Sequence, residues 1–346
     1  MSVKVKRILG IFLSVVCIVT GTALCGLVCN HPSEETENTV DSFYREPAGS
    51  LDVVLIGSSA AGKDYYPHVV WQTAGITSYC MNIAACSANI YSSVLREVLS
   101  TQPQATILVD MDGFLVDDNY QEQEDPIRIW LDSMPRNRNW FETIRELTPQ
   151  STAERLFPFM RYHRNMTSMQ VMLPQTIRLL RRRVLGVRDP MKGATVNPTA
   201  ADKIVRLSDA SELQPQPLSP QSDRVFRAFL EDCRDNGLDN VLFVDLPKAD
   251  TDASTAERNR LYGARMQYIR RVVQEYGYAV YSYNALDNPA QLDVKTDFAD
   301  TLHLTTRGAK KFSVCFAAYL AQQYAFPEKS AALASQWNTD VKDVHL

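Results

Sequence analysis

Apolar residues fall into three patterns along this chain. The first is one uninterrupted run, residues 8–29 (ILGIFLSVVCIVTGTALCGLVC), without a charged side chain. At about 1.5 Å per helical residue it spans roughly 33 Å, enough for a bilayer core. The second comprises short β-branched or apolar runs at Asp52–Ile56, Ser78–Ile83, Ala105–Met111, Asn240–Leu246 and Tyr278–Tyr283. Runs of this length, apolar throughout, predict strands buried on both faces. The third is a helical period over 89–101, 222–236, 255–276 and 307–324. Strand and helix alternate, so the pattern predicts an α/β fold on a buried parallel sheet.

Two segments break the alternation. His31–Ser50 is polar and acidic apart from Phe43 and Tyr44, and residues 30–50 are expected to be a linker. Residues 118–220 separate the third strand from the fourth, carry helical patches of their own, and read as an insertion at the sheet edge. The expected organisation is therefore a short N-terminus (1–7), an apolar anchor (8–29), a linker (30–50) and one domain (51–346) holding the insertion.

Charge gives the anchor a direction. Lys4, Lys6 and Arg7 precede it and Glu34, Glu35 and Glu37 follow. The positive-inside rule leaves residues 1–7 in the cytoplasm and puts everything beyond about residue 30 outside. A cleaved signal peptide is the competing reading, with Ala23 and Gly26 as small residues, but the run exceeds the usual h-region. Both readings put the bulk of the chain outside the cytoplasm, with a single-pass membrane protein as the preferred form.

Composition narrows the function. The chain has 346 residues and a formal net charge of −4, which argues against a nucleic-acid-coating protein. Of seven cysteines, Cys17, Cys25 and Cys29 sit in the apolar run; Cys80, Cys86, Cys233 and Cys315 have apolar neighbours and form no Cys-x-x-Cys pair. They read as buried thiols, with a disulfide as the alternative in this compartment. The histidines His31, His68, His163, His303 and His345 are scattered, so neither a metal nor another cofactor is expected. Arg178, Arg181, Arg182, Arg183, Arg188 and Lys192 form the most basic segment. It reads either as a solvated helix face or as a patch for an anionic polymer or lipid headgroup.

Candidate chemistry lies at two distant places. The first strand runs into Gly57-Ser58-Ser59, and ligands of open α/β sheets sit at the carboxyl ends of strands. Just before the last helix comes Asp300-Thr-Leu-His303. That spacing sets a carboxylate beside an imidazole, so the pair can serve a serine in the chain order Ser, Asp, His. Separately, each part reads as a turn or a helix cap; the combination is more specific.

Two rival motifs fail on their residues. Gly57-Ser-Ser-Ala-Ala-Gly62-Lys63-Asp64 is one residue from a phosphate-binding loop, but Asp64 replaces the magnesium-binding hydroxyl. The Gly-x-Ser-x-Gly signature is broken by Ala61.

Leu51–Ser59 and Asp300–Phe312 together resemble the first and last blocks of the SGNH/GDSL hydrolase superfamily, in its membrane-anchored bacterial branch. That branch includes proteins of D-alanine transfer to teichoic acids and of alginate O-acetylation. The resemblance implies a three-layer α/β/α sandwich with strand order 2-1-3-4-5. It makes Ser59 the nucleophile, His303 the base and Asp300 its partner. It puts oxyanion-hole N–H groups on Ser59 and at the Asn82–Ser87 block, where Ser87 replaces the usual Gly. The third block's Asn is absent, because the strand runs into Asp110-Met-Asp112-Gly113. Losing one such donor costs about 100- to 1,000-fold in rate. Leu156-Phe157-Pro158 and Tyr162-His163 are similar to a Phe-Pro…Tyr-His element of this branch, which makes His163 a candidate substrate contact, with a structural or surface role as the alternative; Asn82 of the second block is a further candidate contact.

The implied activity is serine-dependent ester hydrolysis or O-acyl transfer on an acylated envelope or extracellular polysaccharide. The implied partners are that polymer and a multi-span membrane O-acyltransferase. The alternative is a catalytically weak subunit that binds the polymer for such a partner.

Overall fold

The computed structural model describes residues 3–29, 34–83, 86–115, 124–186, 189–201, 203–209, 212–251 and 253–344. The chain divides into two compact units, one of residues 34–134 and 189–346 and the other of residues 1–33 and 135–188. The expected start of the insertion near 118 and the first linker residues, 30–33, lie outside the described residues.

The larger unit is built on a parallel sheet of five strands: β1 (Val53–Gly57), β2 (Ser78–Asn82), β3 (Thr106–Asp110), β4 (Val241–Asp245) and β5 (Ala279–Ser282). Each strand falls within a residue of its predicted run. Their order is β2-β1-β3-β4-β5. Every residue of β1 to β4 is buried, which is why these strands read as continuous apolar runs rather than as alternations.

Alternate residues feed opposite faces, as the pleat requires. Val53, Leu55, Leu108, Leu242 and Val244 join Phe312, Phe316 and Leu320 of the Thr306–Gln323 helix in one cluster. On β4, the intervening Phe243 meets the rings of Phe114, Phe226 and Phe229. A separate antiparallel ladder pairs Arg206–Leu207 with Ala249–Asp250.

Two expectations are corrected here. The segment read as a linker carries a helix, Glu34–Phe43, with Val40 and Phe43 buried and Phe43 edge-on to Tyr79 of β2. The segment read as insertion also contributes to the larger unit at both ends. Trp130, in the Glu124–Ser133 helix, is fully buried and donates to Ser93 Oγ at 2.8 Å. Toward its other end, Lys192 O accepts from Cys80 N of β2 at 2.9 Å. Lys192 Nζ lies buried between Glu46 and Asp340, at 2.7 and 2.6 Å.

The smaller unit holds the apolar helix Val3–Cys29, long and apolar enough to cross a membrane, and the helices Arg138–Leu147, Thr152–Leu156, Pro158–Tyr162 and Met169–Leu179. The last continues into a π turn, Leu180–Val184. All seven cysteines are free thiols, so the disulfide alternative is not realised.

Candidate active site

The carboxyl ends of the strands bring the chemistry together. Gly57 closes β1 where a Cβ would lie 2.6 Å from both Asp110 Cβ and Ala61 Cβ, so a residue with a side chain would clash there. The chain then turns at Ser58, whose extended φ and ψ (−89°, −164°) cap the short helix Ser59–Asp64. Ser58 N and Oγ both donate to Asp110 Oδ2, at 3.2 and 3.0 Å. Ser58 is thereby committed to fixing the turn.

Its neighbour points elsewhere. Ser59 Oγ lies 2.9 Å from His303 Nε2, across 244 residues of sequence. On the other side of the ring, His303 Nδ1 is 2.7 Å from Asp300 Oδ2. An ionised carboxylate only accepts, so Nδ1 carries the proton and Nε2 offers a lone pair to the serine hydroxyl. Asp300 Oδ1 also accepts from the backbone N–H of Leu302 and His303, at 2.8 and 2.9 Å. Burial alone would raise the Asp300 carboxyl, but the His303 hydrogen bond and these amides together hold it below the usual carboxylate range.

The histidine loop is fastened on several sides. Ala299 N donates to His303 O at 2.9 Å, and Ala249 N to Thr301 O at 3.0 Å. Leu304 N donates to Asp64 Oδ1 at 2.7 Å, tying the loop to the end of the serine helix. A Cβ on Gly308 would come within 2.1 Å of Asp297 O, so the final helix starts this close to the loop only with glycine there. Asp64 is the residue that spoils the phosphate-loop motif, and its fully buried carboxyl is raised well above the ordinary range, first by burial and, after the opposing Leu304 bond, by Asp110.

A second polar group adjoins Ser59 and His303. Lys248 Nζ sits 2.8 Å from both Asp112 Oδ1 and Asp245 Oδ1 and donates to Leu246 O at 3.3 Å. Asp245 Oδ2 accepts from Ser282 Oγ and Oδ1 from Asn284 Nδ2, at 2.7 and 2.9 Å. Burial alone would lower the Lys248 ammonium, yet the two carboxylates leave it raised and charged. Burial, then Asp112, pushes the Asp110 carboxyl up.

Ser59 and His303 open onto a pocket of about 230 Å³, whose walls include Ala60, Cys86, Asp112, Lys248 and Tyr262. Lys248 and Tyr262 also line an adjoining cleft of about 410 Å³ with Arg206, Asp209, Glu212, Asn259 and Arg260. Burial raises the Cys86 thiol, which disfavours a thiolate nucleophile.

The remaining predicted contacts fare differently. Ser59 opens its helix, so its N–H has no acceptor in the preceding turn. Ser87 is fully buried, and Cys86 rather than Ser87 lines the pocket; Ala84 and Ala85 of that block lie outside the described residues. Asn82 is also fully buried, with its amide donating to Gly193 O and packed against Gly62, which makes it a brace for β2 rather than a lining residue. His163 belongs to the smaller unit, where its Nδ1 lies 3.0 Å from Met160 O. Among the described residues no group of three or more His, Cys, Asp or Glu is arranged to hold a metal.

Sequence reasoning missed Asp64, Lys248 and the structural use of Asp110. A signal for Asp110 existed, since β3 ends in that Asp at the sheet's carboxyl edge. In comparisons with known proteins, no family model and no curated protein matches the chain.

Proposed function

We propose that the chain is a serine-dependent acyl-ester hydrolase or O-acyltransferase of the SGNH/GDSL type, with the three-layer α/β/α arrangement of that superfamily. The observation that carries the reading is the unbroken Ser59–His303–Asp300 chain, with the Ser59 hydroxyl at the mouth of a pocket. Ser59 Oγ attacks the carbonyl carbon of a bound ester as its proton passes to His303 Nε2, and Asp300 stabilises the imidazolium. The tetrahedral intermediate collapses as His303 returns the proton to the leaving alkoxide, giving an acyl-Ser59 ester. Water or a sugar hydroxyl then gives its proton to His303 and attacks the acyl carbon, and His303 passes that proton to the departing Ser59 oxygen as the ester bond breaks.

The adjoining polar cleft supports a hydroxyl-rich acceptor such as an acylated envelope or extracellular polysaccharide. Helix Val3–Cys29 supports a single-pass anchor with the larger unit outside the cytoplasm, within reach of a multi-span membrane O-acyltransferase. A specific observation favours a second reading. Asp112, rather than an amide donor, stands in the pocket wall and opposes an oxyanion except as Lys248 neutralises it. A weakly catalytic polymer-binding subunit would tolerate that arrangement. The test is acid-quenched mass spectrometry of the full chain after brief exposure to p-nitrophenyl acetate. An acetyl group on Ser59 is expected; no acetylation, alongside saturable binding of an acylated polysaccharide, favours the subunit.

A further inference from the structure

The smaller unit shows its apolar side chains to the outside. Apart from helix Val3–Cys29, eleven of the sixteen exposed large apolar residues among the described residues lie between Phe141 and Leu185. Met169, Leu173, Ile177, Leu180 and Val184 recur at spacings of four, four, three and four residues, one stripe along the Met169–Leu179 helix and its π turn. At about 1.5 Å per residue this stripe is roughly 22 Å long. The opposite side is inverted: Gln175 on the same helix is 2% exposed, whereas Ile177 is 48% exposed. A helix that buries its glutamine and shows its isoleucine is patterned for apolar surroundings.

The position of this surface is set by the anchor. Helix Val3–Cys29 packs within the unit on Pro158–Tyr162, on the turn His163–Thr167 and on Met169–Leu179. Asn165 Nδ2 donates to Cys29 O at 2.8 Å, closing the helix's last turn. The apolar run is exposed or half-exposed from Ile8 to Cys25, whereas Gly26 and Cys29 are buried. From Ile8 to Leu24 the helix rises only about 25 Å, less than the ~30 Å of a bilayer's hydrocarbon core. The remaining depth falls at the level of the helices packed on its end. Exposed Arg181 stands on the same stretch, between Leu180 and Val184, and a guanidinium there can reach up to phosphate headgroups.

We propose that residues 156–185 form an interfacial platform, with the Met169–Val184 stripe lying in the headgroup–acyl boundary of the phospholipid leaflet from which the anchor emerges. This rests on the membrane-anchored reading. Its occupant is lipid, because the helix that carries the stripe packs on the anchor helix and bears the exposed Arg181.

The test uses the full chain in phosphatidylethanolamine–phosphatidylglycerol liposomes containing a phospholipid with a photoactivatable diazirine high on its acyl chain. Adducts are mapped by mass spectrometry. Adducts are expected on helix Val3–Cys29 and along Phe157–Val184, and Leu173→Glu/Ile177→Glu should lose the second set while keeping the first. Adducts confined to Val3–Cys29 would overturn the platform and leave the anchor standing. Adducts on neither would overturn both. A stripe unlabelled by lipid that cross-links to protein in native membranes would replace lipid with a protein partner and so overturn the proposal.

Discussion

Replacing Asp64 separates two jobs that its carboxyl could do. The side chain is completely buried, accepts from Leu304 N at 2.7 Å, and leaves Oδ2 without a partner. Because burial raises its carboxyl, the neutral acid is favoured. Asn has the same shape and keeps the acceptor, and we predict that Asp64→Asn stays within about 1 kcal/mol of wild type. Leu is branched at the same atom but cannot accept. The Leu304 N–H is then buried without a partner, a loss of about 1–3 kcal/mol. Leu304 adjoins His303, so a displaced loop also moves the base away from Ser59; a shift near 1 Å costs about 100-fold in rate. The assay is denaturant unfolding of the detergent-solubilised full chain, paired with its second-order rate of labelling by a fluorophosphonate probe. Asp64→Leu and Asp64→Asn agreeing in both stability and labelling rate would refute the positioning role of this hydrogen bond.

Further expectations follow from neighbouring groups. Lys248→Met strands the Asp112 and Asp245 carboxylates, each 2.8 Å from the ammonium, and should lower unfolding free energy by about 3–5 kcal/mol, partly restored by adding Asp112→Asn; an unchanged denaturation midpoint would contradict this. His68 is 3% exposed, stacked on Tyr66, and pushed down to about 4 first by burial and then by Lys310. Between that value and the usual 6.5 the unfolded chain binds the extra proton, so stability falls with falling pH by about 1.4 kcal/mol per unit, roughly 3 kcal/mol in all. His68→Phe should flatten that fall, and parallel stability curves from pH 7 to 4 would exclude His68 as its source. Asp300→Ala removes the acceptor that fixes the His303 tautomer and should slow Ser59 acylation by about 100- to 10,000-fold, measured by stopped-flow burst kinetics; an unaltered burst rate would remove Asp300 from the reaction.

The sheet was legible because parallel strands buried on both faces must be apolar at every position. Val53–Gly57 and Val241–Asp245 are the plainest cases. The candidate triad was legible because Asp300 and His303 form a local turn and Ser59 follows a strand. Choosing Ser59 over Ser58 rested on resemblance; the structure distinguishes them by their partners, His303 and Asp110.

What stayed hidden depends on tertiary contacts. Asp64 gave no local sign that it would accept from Leu304, 240 residues away. Lys248 follows a proline after β4, and only the fold sets it between two acids from different strand ends. Glu34–Phe43 reads as linker because its apolar content is little more than Val40 and Phe43; a helix this short owes its stability to packing. The apolar residues of Glu124–Ser133 do not reveal in sequence which core they join, and the fold places them in the larger unit.

The most direct measurement compares the full wild-type chain with Ser59→Ala for labelling by the fluorophosphonate probe and for release of p-nitrophenol from its acetate ester. Covalent labelling and turnover in wild type, both abolished in Ser59→Ala, are the predicted result. Equal behaviour of the two proteins would contradict the assignment of Ser59 as the nucleophile.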